Sequence, residues 1–245
     1  MLLVLPPSET KRDGGADGSA LDLLALSFPE LTRHRRATLS SLRSLSQNIA
    51  AASTALGLGP TQKDEVLRNR ALRSSPVLPA LERYTGVLYD GLEAESLSPE
   101  ERQFAGEHVV IHSALFGLLR ASDLIPAYRL SHDSRLPELS LRSHWKPAIS
   151  PVLANYSGLV LDLRSESYAQ LGPAPEATYI RVVSEGATGR KVALSHFNKK
   201  AKGQFTRAVI AAQIDHDSID SLLRWAREQG IRLEPGAPGE LDLVV

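Results

Sequence analysis

No cysteine occurs among the 245 residues. That excludes disulfides, thiolate metal sites, iron–sulfur clusters and a cysteine nucleophile, and it fits a reducing compartment. Net charge is absent too. With 28 Lys and Arg against 28 Asp and Glu, the chain is not one that coats polyanions over its whole surface. No run of about 18 apolar residues is available to span a membrane. The opening MLLVLPPSETKR lacks the basic start and apolar length of a signal peptide, so the expected location is the cytoplasm. No GxGxxG and no GxSxG occurs, which removes the simplest dinucleotide-binding and hydrolase classes. Gly186-Ala187-Thr188-Gly189-Arg190-Lys191 imitates a phosphate loop but precedes a strand rather than a helix. There is no internal repeat and no low-complexity tract.

What is present is an uneven distribution of charge. From Gly186 to Ile214 there are six Lys or Arg and no acid, whereas Leu81–Glu107 and Asp215–Val245 are acidic by comparison. Within the basic stretch, Val192 to Phe197 alternates as a strand does, and Asn198 then opens a helix. Ala201, Phe205, Ala208, Val209 and Ala212 share one stripe of it. Lys199, Lys200 and Lys202 crowd its first turn, where the helix dipole already presents positive charge. A sequence that accepts this cost is expected to meet an anion there; a solvated basic face is the plain alternative.

Leu2–Leu5 is expected as a buried strand halted by Pro6-Pro7, and the polar, Gly-rich segment Ser8–Ser19 as a mobile loop. Leu21–Phe28, Pro29–Gln47, Thr61–Arg73 and Pro76–Tyr89 are expected as helices, with Arg33-His34-Arg35-Arg36 on a solvated face. Gly57-Leu58-Gly59-Pro60 marks a break. Ser98-Pro99-Glu100-Glu101 has the cap, proline and third-position Glu of a helix start. Val109–Ile111, Leu159–Leu163, Tyr179–Val183 and Lys191–His196 are expected as strands, Ser140–Ala154 and Ser218–Gly230 as helices. The mixed order gives an α+β fold of mixed α/β type as one domain, 1–245.

Candidate chemistry gathers at element boundaries, where side chains converge: Tyr84-Thr85-Gly86, Arg120 to Asp123, Tyr128-Arg129 and Lys199 to Gly203. Arg120 and Arg129 have the forked geometry for phosphate oxygens, and the lysines add point charge. Asp123 is equally suited to pairing with Arg120. His108 and His112 are four apart, but in a strand that spacing is about 13 Å, so no metal site is assigned.

In these segments the sequence resembles the YaaA family of peroxide-stress proteins. The likeness is collinear over nearly the whole chain. It is carried by Thr10 after the Pro-rich strand end, by Tyr84-Thr85-Gly86 with Gly91-Leu92, and by the block from Leu115 to Leu130. Trp145, the piece from Leu163 to Tyr168 with Ser165, and the segment from Lys199 to Arg207 continue it. The resemblance implies a single mixed α/β domain with a positively charged cleft and a helix-hairpin-helix-like element, whose turn would be Ser113-Ala114-Leu115-Phe116-Gly117. It also implies double-stranded DNA binding and a part in limiting iron-dependent oxidative damage. Ala114 stands where the family commonly has Gly, Glu9 where it has Lys, and Lys146-Pro147 follows Trp145 in place of Gly-Asp.

Two functions follow as expectations. In the first, Lys199, Lys200, Lys202, Arg207, Arg120 and Arg129 bind duplex DNA through its backbone, without sequence readout and without a cofactor. In the second, the same cleft, lined by Ser8, Thr10, Lys11, Tyr84, Thr85, Asp123, Tyr128 and Ser165, holds a phosphorylated or nucleotide-like small molecule. Asp123 or Tyr128 would then be the acid–base group of an enzyme. Direct iron binding would need His and carboxylates to converge. A monomer is the default.

Overall fold

The computed structural model describes residues 1–185, 191–193 and 198–245, the middle three by backbone alone. Strand β1 (Leu2–Leu5) is central to the main sheet, and all four of its residues are buried. A short unbroken apolar run suits a strand covered on both faces, and Pro6-Pro7 cannot extend the ladder. β3 (Val109–Ser113) lies on one side of β1 and β6 (Val160–Asp162) on the other, both parallel to it. Beyond β6, β7 (Thr178–Glu185) and β10 (Glu240–Val244) continue in parallel. β4 (Gly117–Arg120) and β9 (Leu233–Pro235) are antiparallel edges, and β8 (Lys191–Ala193) folds back on β7. A second ribbon pairs β2 (Val77–Pro79) with β5 (Leu124–Pro126). The chain leaves β1 toward β3 and later continues from the other side through β6. Strand order therefore reverses between the carboxyl ends of β1 and β6, the position at which open α/β sheets hold ligands.

Around the sheet are α1 (Thr32–Leu45), α2 (Ile49–Ala55), α3 (Lys63–Arg70), α4 (Ala80–Arg83) and α5 (Val87–Leu92). They are followed by α6 (Pro99–His108), α7 (Leu141–Ala154), α8 (Glu166–Ala169), α9 (Asn198–Ala212) and α10 (Ile219–Glu228). The start of α6 has the cap expected of its sequence: Glu101 N donates to Ser98 Oγ at 3.2 Å and Ser98 N to Glu101 Oε2 at 2.7 Å, closing two orphan donors reciprocally. Helix α7 runs through Pro147 and Pro151, and its buried Trp145 donates to Ala114 O at 2.8 Å. Trp145 also explains Gly117, whose φ is +68° and whose added Cβ would lie 2.7 Å from the indole ring. Helices α5 and α9 touch through glycine as well. A Cβ on Gly203 would lie 1.9 Å from Leu88 O, so the two backbones are in direct contact.

Several expectations are corrected. Leu21–Phe28 is not helical, because Asp22 Oδ1 takes the Leu24 amide at 2.8 Å and competes with the helical bond. Pro76–Tyr89 is β2, α4 and the start of α5, broken at Gly86 with φ +94°. Ser8–Ser19 is pinned: fully buried Arg83 donates to Arg12 O, to Gly14 O at 2.9 Å, to Pro76 O at 3.0 Å and to Ile125 O at 3.0 Å. Arg35 is also fully buried rather than solvated, donating to Ser27 O, Phe116 O and Leu118 O at 2.6–2.9 Å. Of the strand expected over Lys191–His196, residues 191–193 are strand and 194–196 lie outside the described residues, as does the 186–190 part of the imitated phosphate loop. One hydrophobic core joins these layers into a single compact mixed α/β body. Among the described residues no helix is long and apolar enough to cross a membrane.

Candidate functional site

At the carboxyl end of β1 the chain turns through Pro6–Lys11 and bridges Lys11 to Tyr84. Lys11 is buried; its Nζ donates to Ser8 O at 2.8 Å and Glu9 O at 3.2 Å, and stands 4.1 Å above the Tyr128 ring and 5.3 Å from that of Tyr84. Burial brings this ammonium down to about 7, and the Arg129 charge pushes the same way. The Tyr84 and Tyr128 hydroxyls are 2.7 Å apart, and Ser113 Oγ is 2.7 Å from Tyr128. Ser113 Oγ already accepts the amides of Leu115 and Phe116 at 3.1 and 2.9 Å. Both of its lone pairs are thereby used, so it donates to Tyr128. One phenolic proton lies between the two tyrosines. Burial holds both phenols well above the ordinary range.

The ends of β3 and β6 carry a second buried group. Asp162 accepts Arg164 Nε at 2.8 Å and Nη2 at 2.6 Å, while Nη1 donates to His112 Nδ1 and to Gly172 O, each at 2.9 Å. That contact assigns the His112 proton to Nε2, and Nε2 has no partner among the described residues. Burial and the Arg164 charge keep His112 neutral, well below its usual value. Lys202 reaches the same edge from α9, donating to Leu163 O at 3.0 Å and Arg164 O at 3.3 Å, and burial lowers it to about 8.

Toward solvent, Thr10 Oγ1 lies 3.2 Å from Ser8 Oγ and accepts from Thr85 Oγ1 at 3.1 Å. Arg129 donates through Nη2 to Glu9 at 2.6 Å, and its Nε is buried without a partner among the described residues. The Arg129 backbone is held separately: its N donates to Asn69 Oδ1 and its O accepts Asn69 Nδ2, each at 2.8 Å. A cavity of about 410 Å³ opens beside Tyr84 and Thr85, with Arg12, Tyr89 and Asp90 in its wall. Ser165, exposed just past β6, accepts the Tyr168 amide at 3.5 Å as the cap of α8.

Thus Ser8, Thr10, Lys11, Tyr84, Thr85, Tyr128, Arg129, Ser165 and Lys202 share the carboxyl edge. Lys199 and Lys200 stand exposed on the first turn of α9 beside it. Arg120 and Asp123 do not join them. Arg120 pairs with Val110 near the start of β3, stacks on Phe28 and donates to Glu107 O. Asp123 accepts Ser27 N, Ser27 Oγ and Arg120 N at 2.8–3.0 Å, a turn-fixing role. Arg207 lies 3.6 Å from Glu101. Ser113–Gly117 joins two antiparallel strands and is buried, so it is a β-hairpin turn and not the turn of a helix-hairpin-helix element. Gly57-Leu58-Gly59 does join two helices, α2 and α3, but its amides are spent on Thr54 O, Ser53 O and Gln62 Oε1. Among the described residues no group of three His, Asp or Glu is placed to hold a metal ion. His112, Asp162 and Arg164 were not anticipated, although Asp162 and Arg164, two apart at a strand end, share a side.

The two buried lysines predict an unusual pH profile. Each binds its proton less tightly folded than unfolded, so the unfolded chain carries more protons between about 7 and 10.5 for Lys11 and about 8 and 10.5 for Lys202. Stability therefore rises with pH across that window. Near the top of it, from about pH 10, unfolded tyrosines ionise while the buried phenols do not, and stability falls. Calorimetry should give a melting temperature that climbs from pH 7 to about pH 9.5, with much of the climb missing in Lys11→Met. A flat wild-type profile would refute the assignment.

The family described as "Peroxide stress protein YaaA" matches residues 1–235. The chain is 41% identical over 252 residues to a "UPF0246 protein" of Corynebacterium glutamicum strain R, with 100% of each chain covered. It is 38% identical over 249 residues to one of Streptomyces coelicolor, covering 98% of this chain and 94% of that one. One of Ruegeria pomeroyi is 35% identical over 147 residues, 56% of this chain and 57% of that one. With the match running from β1 to the end of β9 and the Corynebacterium glutamicum relative aligned over the whole of both chains, the chain belongs to the YaaA family of peroxide stress proteins.

Proposed function

We propose that the protein serves the peroxide response by binding a small phosphorylated molecule at the carboxyl edge of its sheet, next to the cavity at Tyr84 and Thr85. The observation that carries this reading is a surplus of buried donors. Arg129 Nε and His112 Nε2 are buried with no acceptor among the described residues. Each such group costs about 1–3 kcal/mol unless something accepts from it, and the unprotonated oxygens of a phosphate only accept. Depth favours a small ligand, since Arg129 is 9% exposed, beyond the reach of a rigid duplex backbone. Lys11 is the group there able to exchange a proton near neutral pH.

Calorimetric titration at pH 6.5 with orthophosphate, ribose 5-phosphate and adenosine monophosphate tests this. Saturable heat is expected, weakened roughly 10-fold or more in Arg129→Met, the size of a charge-assisted hydrogen bond. Flat isotherms for all three overturn it. In cells, survival under hydrogen peroxide should be restored by the wild-type gene and not by Arg129→Met.

Duplex DNA is the second reading, favoured by exposed Lys199 and Lys200, which have no salt bridge among the described residues. With about two phosphates engaged, log K for a labelled duplex should fall against log salt with a slope near −2. Salt-independent anisotropy would remove this reading.

A further inference from the structure

We propose that Glu9 is a resident occupant of the anion position at Arg129, and that a phosphorylated ligand docks by displacing it. The proposal rests on the phosphate reading given above. The Glu9 carboxylate stands where ligand oxygens would stand, and its hold is partial. It meets Nη2 alone, at 2.6 Å, and leaves the neighbouring Nε–H of the same guanidinium edge buried and without a partner among the described residues. A guanidinium edge prefers two parallel bonds. Glu9 does not supply the second, because its backbone belongs to a loop fixed from within: Lys11 Nζ grips Ser8 O and Glu9 O. A free phosphate has no such tether and can offer one oxygen to each nitrogen.

The two partners also differ in exposure. The Glu9 side chain is 61% exposed and that of Arg129 11%, so the carboxylate can swing into solvent while the cation stays in place. Arg129 does not depend on Glu9 for position, since Asn69 clamps its backbone. The other acid near Lys11, Glu65, is committed to Arg68 at 2.8 Å, and Arg68 also holds Asp13 at 2.5 Å. Glu9 is thus the acid free to leave. Its departure would expose a guanidinium edge close to the Lys11 amine.

The test is titration of Glu9→Gln beside wild type, with orthophosphate as the probe. Removing the competitor should tighten phosphate roughly two- to fivefold, the scale of a partly exposed ion pair, and adding Arg129→Met should erase the gain. Equal affinities in wild type and Glu9→Gln overturn the occupant role and leave the phosphate reading standing. Weaker binding in Glu9→Gln also overturns it, because Glu9 would then be a positioning residue. Absence of binding in both proteins overturns the phosphate reading and this proposal with it.

Discussion

Gly203→Ala is expected to destabilise the protein by about 3 kcal/mol or more, roughly 6–12 °C in melting temperature for a chain of this size. In an exposed helix the same change would stabilise by up to about 1 kcal/mol, because alanine is the better helix former. Here the added methyl would lie 1.9 Å from Leu88 O and 2.9 Å from Leu88 C. Backbone atoms cannot rotate away, so α5 and α9 must separate. Gly86 at the head of α5 and Lys202 on α9 would then shift together. Gly59→Ala is the control, since its methyl meets only the far end of Gln62 at 3.6 Å, and its effect should fall within about 0.5 kcal/mol. A Gly203→Ala protein as stable as wild type would mean the helices are not in backbone contact.

The second large effect is expected at Arg83. Its guanidinium is fully buried and satisfies four carbonyl oxygens from Arg12, Gly14, Pro76 and Ile125. Methionine matches the length of the stem but supplies no donor. Buried acceptors would be stranded, at a cost of about 3 kcal/mol in total once water reaches some of them. The loss has a local signature beyond a lowered melting point. Arg12 and Gly14 would lose their anchor, and trypsin should cut after Lys11 or Arg12 in Arg83→Met well before it cuts wild type. Equal resistance in the two proteins would show that the loop is held by other contacts.

Local grammar made much of this fold legible. The Ser98 cap and the apolar run of β1 are written in neighbouring residues, and each formed as read. The site was legible in part. Lys11, Tyr84, Thr85, Tyr128, Arg129 and Lys202 all flank element ends: Lys11 follows β1, Tyr84 and Thr85 stand between α4 and α5, Tyr128 and Arg129 follow β5, and Lys202 lies in the first turns of α9. Arg120 and Asp123 flank an element end too, but β4 runs antiparallel and carries them to the opposite edge. Strand direction is set by pairing with residues far away in sequence, so no local pattern could separate the two cases. Arg35 sat in a basic run whose composition suggested a solvated face, whereas carbonyls more than 80 residues away solvate it. For His112 the obstacle was similar: its partner Arg164 is 52 residues distant.

Asn69 has a consequence of its own. Residues 127–130 belong to no strand, yet the Asn69 amide, buried and used at both ends, gives Arg129 the donor and acceptor that a neighbouring peptide would have given. One side chain thus acts as a single borrowed rung. It sets the height of an otherwise unladdered segment and leaves that segment free of the strict up-and-down alternation a sheet would impose. Tyr128 and Arg129, adjacent in the chain, can therefore both serve the same edge of the molecule.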